Sequence, residues 1–153
     1  MMKQRIYIDT SVIGGYFDEE FQEWSKQLFD EIITGKKIAI ISDITIEELE
    51  DAPAHVRKLL STIPDKFKET VLLGDDAREL SNHYIKEKIV TSKSLLDTRH
   101  IALASVNRAD ILVSWNFKHI VNYKLIRLYN SVNIKYGYPP LEIRTPRETI
   151  EPK

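Results

Sequence analysis

Residues Leu95–Asn122, LLDTRHIALASVNRADILVSWNFKHIVN, decide how the chain folds. The segment opens as a helix with Ile101, Ala102 and Ala104 as its apolar stripe, turns at Asn107–Asp110, and enters the wholly apolar strand Ile111–Leu112–Val113. A second helix is expected at once after Ser114–Trp115–Asn116. Asn116 then stands where a parallel strand ends and the next helix offers its unpaired N–H groups. In open α/β sheets that edge is where ligands bind. Asp97, at the start of the preceding helix, faces the same edge if the two helices flank the strand.

Upstream, Arg5–Ile8 is a β-branched and aromatic run, read as a strand over 4–8, and it ends in the turn and cap residues Asp9-Thr10-Ser11. Gly14–Gly15 breaks the pattern; Glu19–Thr34 follows with Phe21, Trp24, Leu28 and Ile32 at helical spacing, and Gly35 is its C-terminal cap. Ile38–Ile41 is apolar without alternation, as expected of a parallel strand covered on both faces, and ends at Ser42–Asp43. The next helix is interrupted at Pro53, and a short one spans His55–Thr62 before Pro64. Val71–Leu73, bounded by Gly74, predicts the third strand, and Asp75–Lys88 a helix.

Downstream, Phe117–Tyr129 predicts a helix. From Asn130 the chain becomes proline-rich and reads as peripheral, with an edge strand at Leu141–Ile143 and a capping box at Thr145-Pro146-Arg147-Glu148. Strands alternating with helices predict an α/β sandwich with a mostly parallel sheet, residues 1–130 forming its core and 131–153 a C-terminal extension of the same domain.

The 153 residues suit one domain with a single core. The absence of cysteine excludes disulfides and thiolate metal sites and fits a reducing compartment. The N-terminal apolar stretch is too short for a signal peptide, and no window approaches the roughly 18 apolar residues of a membrane span. A soluble, cytoplasmic protein with no membrane partner is expected. The net charge of −1 excludes a general binder of phosphate backbones, which draws its affinity from counterion release. Contact with RNA or DNA then needs a local patch, or metal ions bridging acidic residues to phosphate.

The acids carry the chemistry. Asp9 follows the first strand, Glu48 lies in the first turn of the helix after the second, Asp97 opens the helix before the fourth, and Asn116 follows the fourth. Right-handed crossovers bring these points to one edge of the sheet. Carboxylates gathered there repel one another and lose hydration unless a hard cation such as Mg²⁺ or Mn²⁺ neutralises them. Such a cation polarises a phosphodiester and acidifies water, which describes a hydrolase. Each residue also has an ordinary role. Thr45-x-x-Glu48 and Ser94-x-x-Asp97 match capping boxes, Asn116 is a good N-cap, and Asp9 suits an Asx turn. Caps, however, have no reason to converge beside a strand-one Asp-Thr-Ser, and the joint placement favours a site.

The ordered set IYIDTSV (6–12), SDITIEEL (42–49), DTRHIALA (97–104) and DILVSWNF (110–117) resembles the PIN-domain ribonucleases, in particular the VapC-type toxins of toxin–antitoxin pairs. The resemblance implies a three-layer Rossmann-like PIN fold with sheet order 3-2-1-4-5 and divalent-metal-dependent cleavage of RNA. It places the family's acids on Asp9, Glu48 and Asp97, with Asp9 and Asp97 binding Mg²⁺ or Mn²⁺ and Glu48 acting directly or through water. The family's fourth acid falls on Asn116, which leaves one charge fewer but still offers a carbonyl ligand. Asp110, at the other end of the strand, is a less well placed substitute. Thr10 or Ser11 would hold the first-strand site through a hydroxyl, and Glu47 replaces Glu48 if the helix register is off by one. RNA as substrate, a cognate antitoxin and a homodimer are the partners implied.

Around these, His100 lies one helical turn beyond Asp97, where a histidine is more often packed or solvated than functional. Lys118, His119, Lys124 and Arg127 form either a basic RNA-contacting surface or a solvated helix face. Trp115 suits stacking on a base or packing beneath the site, while Phe21 and Trp24 read as core. A haloacid-dehalogenase-type phosphatase is disfavoured because Ser11 stands where its second Asp is needed. A PIN-like module with a decayed site, binding RNA or protein without cleavage, is the alternative that Asn116 keeps open.

Overall fold

The computed structural model describes residues 2–152; Met1 and Lys153, the outer limits of the domain reading, lie outside the described residues. Five strands, β1 (Arg5–Ile8), β2 (Ile38–Ser42), β3 (Lys68–Val71), β4 (Ile111–Val113) and β5 (Glu142–Arg144), form one parallel sheet in the order β3-β2-β1-β4-β5. The register sets Tyr7 beside Ile40 and Leu112, and all three side chains enter one core together with Leu80 and Tyr84 of α5 (Asp75–Lys86), Ile101 and Leu103 of α6 (Leu95–Val106), and Tyr129 of α7 (Tyr123–Lys135). Ile6, Ile8, Ala39, Ile41 and Val113 enter the opposite core, against Val12 and Ile13 of α1 (Thr10–Gly15) and Leu28, Phe29 and Ile32 of α2 (Gln22–Ile33). Two cores explain the unbroken apolar runs of β1, β2 and β4: these inner strands are covered on both faces and need no polar side. No described helix is long and apolar enough to cross a membrane.

Three readings are corrected. The third strand lies upstream of the apolar run that predicts it. As an edge strand it is only half-buried, so polar residues suit it: the Arg5 guanidinium donates to both Glu69 carboxylate oxygens at 2.8 Å. The Leu73 N–H leaves the ladder and donates to Asp43. The helix expected from Phe117 begins at Tyr123 instead. The N–H groups of Ile120 and Val121 both donate to the Asn116 carbonyl, closing a turn, and the helix is capped by the Asn122 side chain accepting from Leu125 N. It runs on through residue 130, and the segment is not peripheral there: Val132 and Asn133 are buried, with Asn133 bonded to Tyr84 and Ser105.

The third correction concerns α3 (Asp43–Glu48), which starts earlier than read. Its cap is Ser42, whose Oγ accepts from Thr45 N, so Glu48 ends the helix rather than opening it and the Thr45–Glu48 box does not form. Ser94 makes no side-chain cap bond, which leaves Asp97 free of its box as well. After the break at Pro53 comes the short α4 (Ala54–Arg57), and the box at Thr145 and Glu148 does form, at the head of α8 (Pro146–Thr149). Gly35 caps α2 at φ +85°, a left-handed position natural to glycine. Beyond it Lys37 forms a buried ion pair with Glu31.

Candidate active site

β1, β2 and β4 each stop at a residue able to bond beyond the ladder: Asp9, Ser42 and Ser114. Asp9 is 3% exposed and caps α1. Its Oδ1 accepts from Ser11 Oγ at 2.6 Å and from Val12 N at 3.3 Å, and its Oδ2 from Ser114 Oγ at 2.5 Å. Ser11 Oγ in turn accepts from Trp115 N, and Ser114 Oγ from Asn116 N. One carboxylate thereby ties the ends of β1 and β4 together. Burial lifts the Asp9 carboxyl above the usual range, opposed by nearby His100, the two serine hydroxyls and the Val12 N–H.

Asp97 and Glu48 are each paired with a histidine. His119 Nδ1 lies 3.0 Å from Asp97 Oδ2, while the His119 main-chain N–H donates to Asn116 Oδ1 at 3.0 Å. A path therefore runs from Asp97 through His119, Asn116 and Ser114 to Asp9. Glu48 Oε1 lies 2.6 Å from His100 Nε2; His100 Nδ1 is 2.7 Å from Tyr7 Oη, which donates to Ser42 Oγ at 2.8 Å. Burial pushes the Tyr7 hydroxyl far up, so it stays protonated and available as a hydrogen-bonding group.

Asp9, Glu48, Asp97 and Asn116 therefore belong to one edge, but not to one ligand cluster. Among the described residues no three His, Asp or Glu side chains form a group able to ligate a metal, and each carboxylate has its own partner instead. In kind, the donors fit Mg²⁺ or Mn²⁺. They are hard carboxylate oxygens, and among the described residues Glu48 Oε2 and Asp97 Oδ1 accept no hydrogen bond.

The supporting residues sort out differently from expectation. Ser11 holds Asp9, whereas the buried Thr10 hydroxyl has no partner among the described residues. Asp110 accepts from Arg5 N at the opposite edge of the sheet, which removes it as a substitute. Glu48, not Glu47, meets the histidine. Lys118 is exposed in the turn after Asn116, and Lys124 and Arg127 are exposed on α7. Trp115 packs beneath the site: it stacks on Phe21 at 4.3 Å and its indole N–H donates to Ser25. Tyr7, Ser42 and Ser114 were not read as site residues. The signal for Tyr7 is a polar tip inside an apolar strand; for the serines, a small hydroxyl where an apolar strand ends.

No family model matches the sequence, and no curated protein matches it. Solved structures do. VapC20 of Mycobacterium tuberculosis, a toxin cleaving the sarcin-ricin loop, aligns with a TM-score of 0.57 at 12% identity, covering 74% of this chain and 91% of that one. VapBC2 from Rickettsia felis, bound to a DNA fragment from its promoter, aligns with a TM-score of 0.57 at 14% identity, covering 93% and 98%. A toxin–antitoxin complex from Klebsiella pneumoniae aligns with a TM-score of 0.54 at 20% identity, covering 74% and 88%. The likeness is one of fold: the five-stranded parallel sheet in this order is the PIN fold of the VapC toxins.

Proposed function

We propose that the chain is a nuclease that hydrolyses RNA phosphodiester bonds with Mg²⁺ or Mn²⁺, as the toxin of a toxin–antitoxin pair. The observation that carries the reading is the gathering of Asp9, Glu48 and Asp97 at the carboxyl edge of a PIN-type sheet, each already oriented by a bonded partner. Asp9 and Asp97 would hold the cation, with Glu48 a direct or water-mediated ligand. When bound, the ion supplies positive charge opposite the scissile phosphate and acidifies a water molecule.

The chain's own groups do the rest. Ser11 and Ser114 keep Asp9 in one rotamer through bonds that favour its ionised form. Asn116 spends its side-chain oxygen on His119 N and so shapes the turn rather than supplying a fourth charge. Lys118 and His119 follow at the mouth of the site, where they would contact the RNA backbone, with Lys124 and Arg127 extending the surface. The fold shared with toxin–antitoxin complexes supports an antitoxin protein as partner and cytoplasmic residence.

The test is cleavage of single-stranded RNA with Mn²⁺ or with EDTA. Cleavage is expected only with the cation, and Asp9→Asn and Asp97→Asn should each abolish it while thermal unfolding stays near or above wild type; undiminished cleavage by either variant overturns the assignment. Asn116 favours a second reading, a site that binds without cutting. Thermal shift separates the two, since a decayed site gains no stability from Mn²⁺.

A further inference from the structure

The polar groups behind Glu48 form a line through otherwise apolar core. Ser42, Tyr7 and His100 are all buried, and they come from β2, β1 and α6, three elements with no sequence contact. Tyr7 sits between Ile6 and Ile8, where phenylalanine would fill the same volume without needing a partner for its tip. His100 explains the hydroxyl. An ionised carboxylate can only accept, so the hydrogen between Glu48 Oε1 and His100 belongs to Nε2. Tyr7 Oη gives its one hydrogen to Ser42 Oγ and so accepts from Nδ1–H, and the two rings meet edge to face at 5.7 Å and 67°, which holds the imidazole against rotation. Glu48 stands in contrast at the end of the short helix α3, its side chain 31% exposed, and among the described residues His100 is its one side-chain partner.

We propose that His100, backed by Tyr7, is a positioning residue that fixes the Glu48 carboxylate and leaves its second oxygen unengaged for a divalent cation. This rests on the nuclease reading of the same edge. Ligating carboxylates commonly depend on such outer hydrogen bonds, whose loss costs about 10–100-fold in metal affinity. A histidine that merely stabilised the core would leave cation binding unchanged in any variant that still folds.

Mn²⁺ binding is measured calorimetrically on wild type, Tyr7→Phe, His100→Ala, Glu48→Ala and the His100→Ala/Glu48→Ala double variant. Tyr7→Phe retains the ring, and so remains informative if His100→Ala does not fold. Both variants are expected to weaken Mn²⁺ binding about 10–100-fold, and His100→Ala to add nothing once Glu48 is alanine. Unchanged affinity in the folded single variants, or an equal further loss in the double variant, overturns the proposal. A metal-free readout is the His100 Nε2–H proton resonance, expected to exchange slowly and to move in Glu48→Gln and Tyr7→Phe. A resonance indifferent to Glu48 overturns the positioning role alone. Wild type that neither binds Mn²⁺ nor cleaves RNA overturns the nuclease reading and the cation role with it, whatever the resonance shows.

Discussion

Asp9 shows how a residue can serve a site at the expense of stability. Because burial raises its folded pKa, the folded state holds the proton more tightly than the unfolded chain does. Stability from this group is therefore full in acid and declines as pH rises from the ordinary aspartate range through the raised folded value. Above the raised folded value the cost is complete. In EDTA at pH 7, Asp9→Asn is expected to unfold at or above the wild-type temperature; a drop of about 3 °C, roughly 1 kcal/mol, would mean that the bonds from Ser11 and Ser114 outweigh the burial. The acids at this edge were legible in the sequence from their order along the alternating strands and helices, Asp9 directly after β1, Glu48 on the helix after β2 and Asp97 on the helix before β4. Their partners were not, since Ser114 and His119 reach Asp9 and Asp97 only through the fold, and a histidine on a helix says nothing by itself of what stands opposite.

Among the elements, α1 is not announced by the sequence, where Gly14–Gly15 breaks the pattern and paired glycines carry little helix propensity. The structure separates the two. Gly14 is exposed with open space around it, whereas a Cβ on Gly15 would lie 2.7 Å from Trp115 Nε1 and 2.8 Å from Ser25 Oγ, across the bond those groups share. Gly15→Ala is expected to cost about 1–3 kcal/mol through overpacking, and Gly14→Ala to be neutral or to gain about 0.5–1 kcal/mol. Urea denaturation of both variants decides the matter; equal midpoints would show that Trp115 yields easily. Strands β1, β2 and β4 were legible because burial on both faces demands continuous apolar runs. β3 was not, because an edge strand obeys no such demand, and the start of α7 was hidden because Asn116 and Asn122 are equally good caps and only the turn between them shows which is used.

At the scale of the whole molecule, a parallel sheet covered on both faces follows from alternating strands and helices, and its order from the family resemblance, but the buried Glu31–Lys37 pair had no sequence signature. Burial alone would raise Glu31; Lys37 and the Glu151 N–H outweigh it and hold the carboxyl below its usual range. The pair's contribution is thus present at neutral pH and lost as pH falls from the ordinary glutamate range through the lower folded value. Lys37→Met strands a buried carboxylate and is expected to cost about 3–5 kcal/mol at pH 7. The gap from wild type in urea unfolding should narrow below about pH 4, and a gap constant down to pH 3 would exclude an ionic origin. The outer flank of β4 is held in turn by β5, with Ser114 N donating to Arg144 O at 3.1 Å. The strand end that presents Ser114 and Asn116 is therefore finished only by a segment translated some thirty residues later. A polypeptide cut short before that point keeps β4 as a bare outer edge, so this end of the strand settles only once synthesis has passed residue 144.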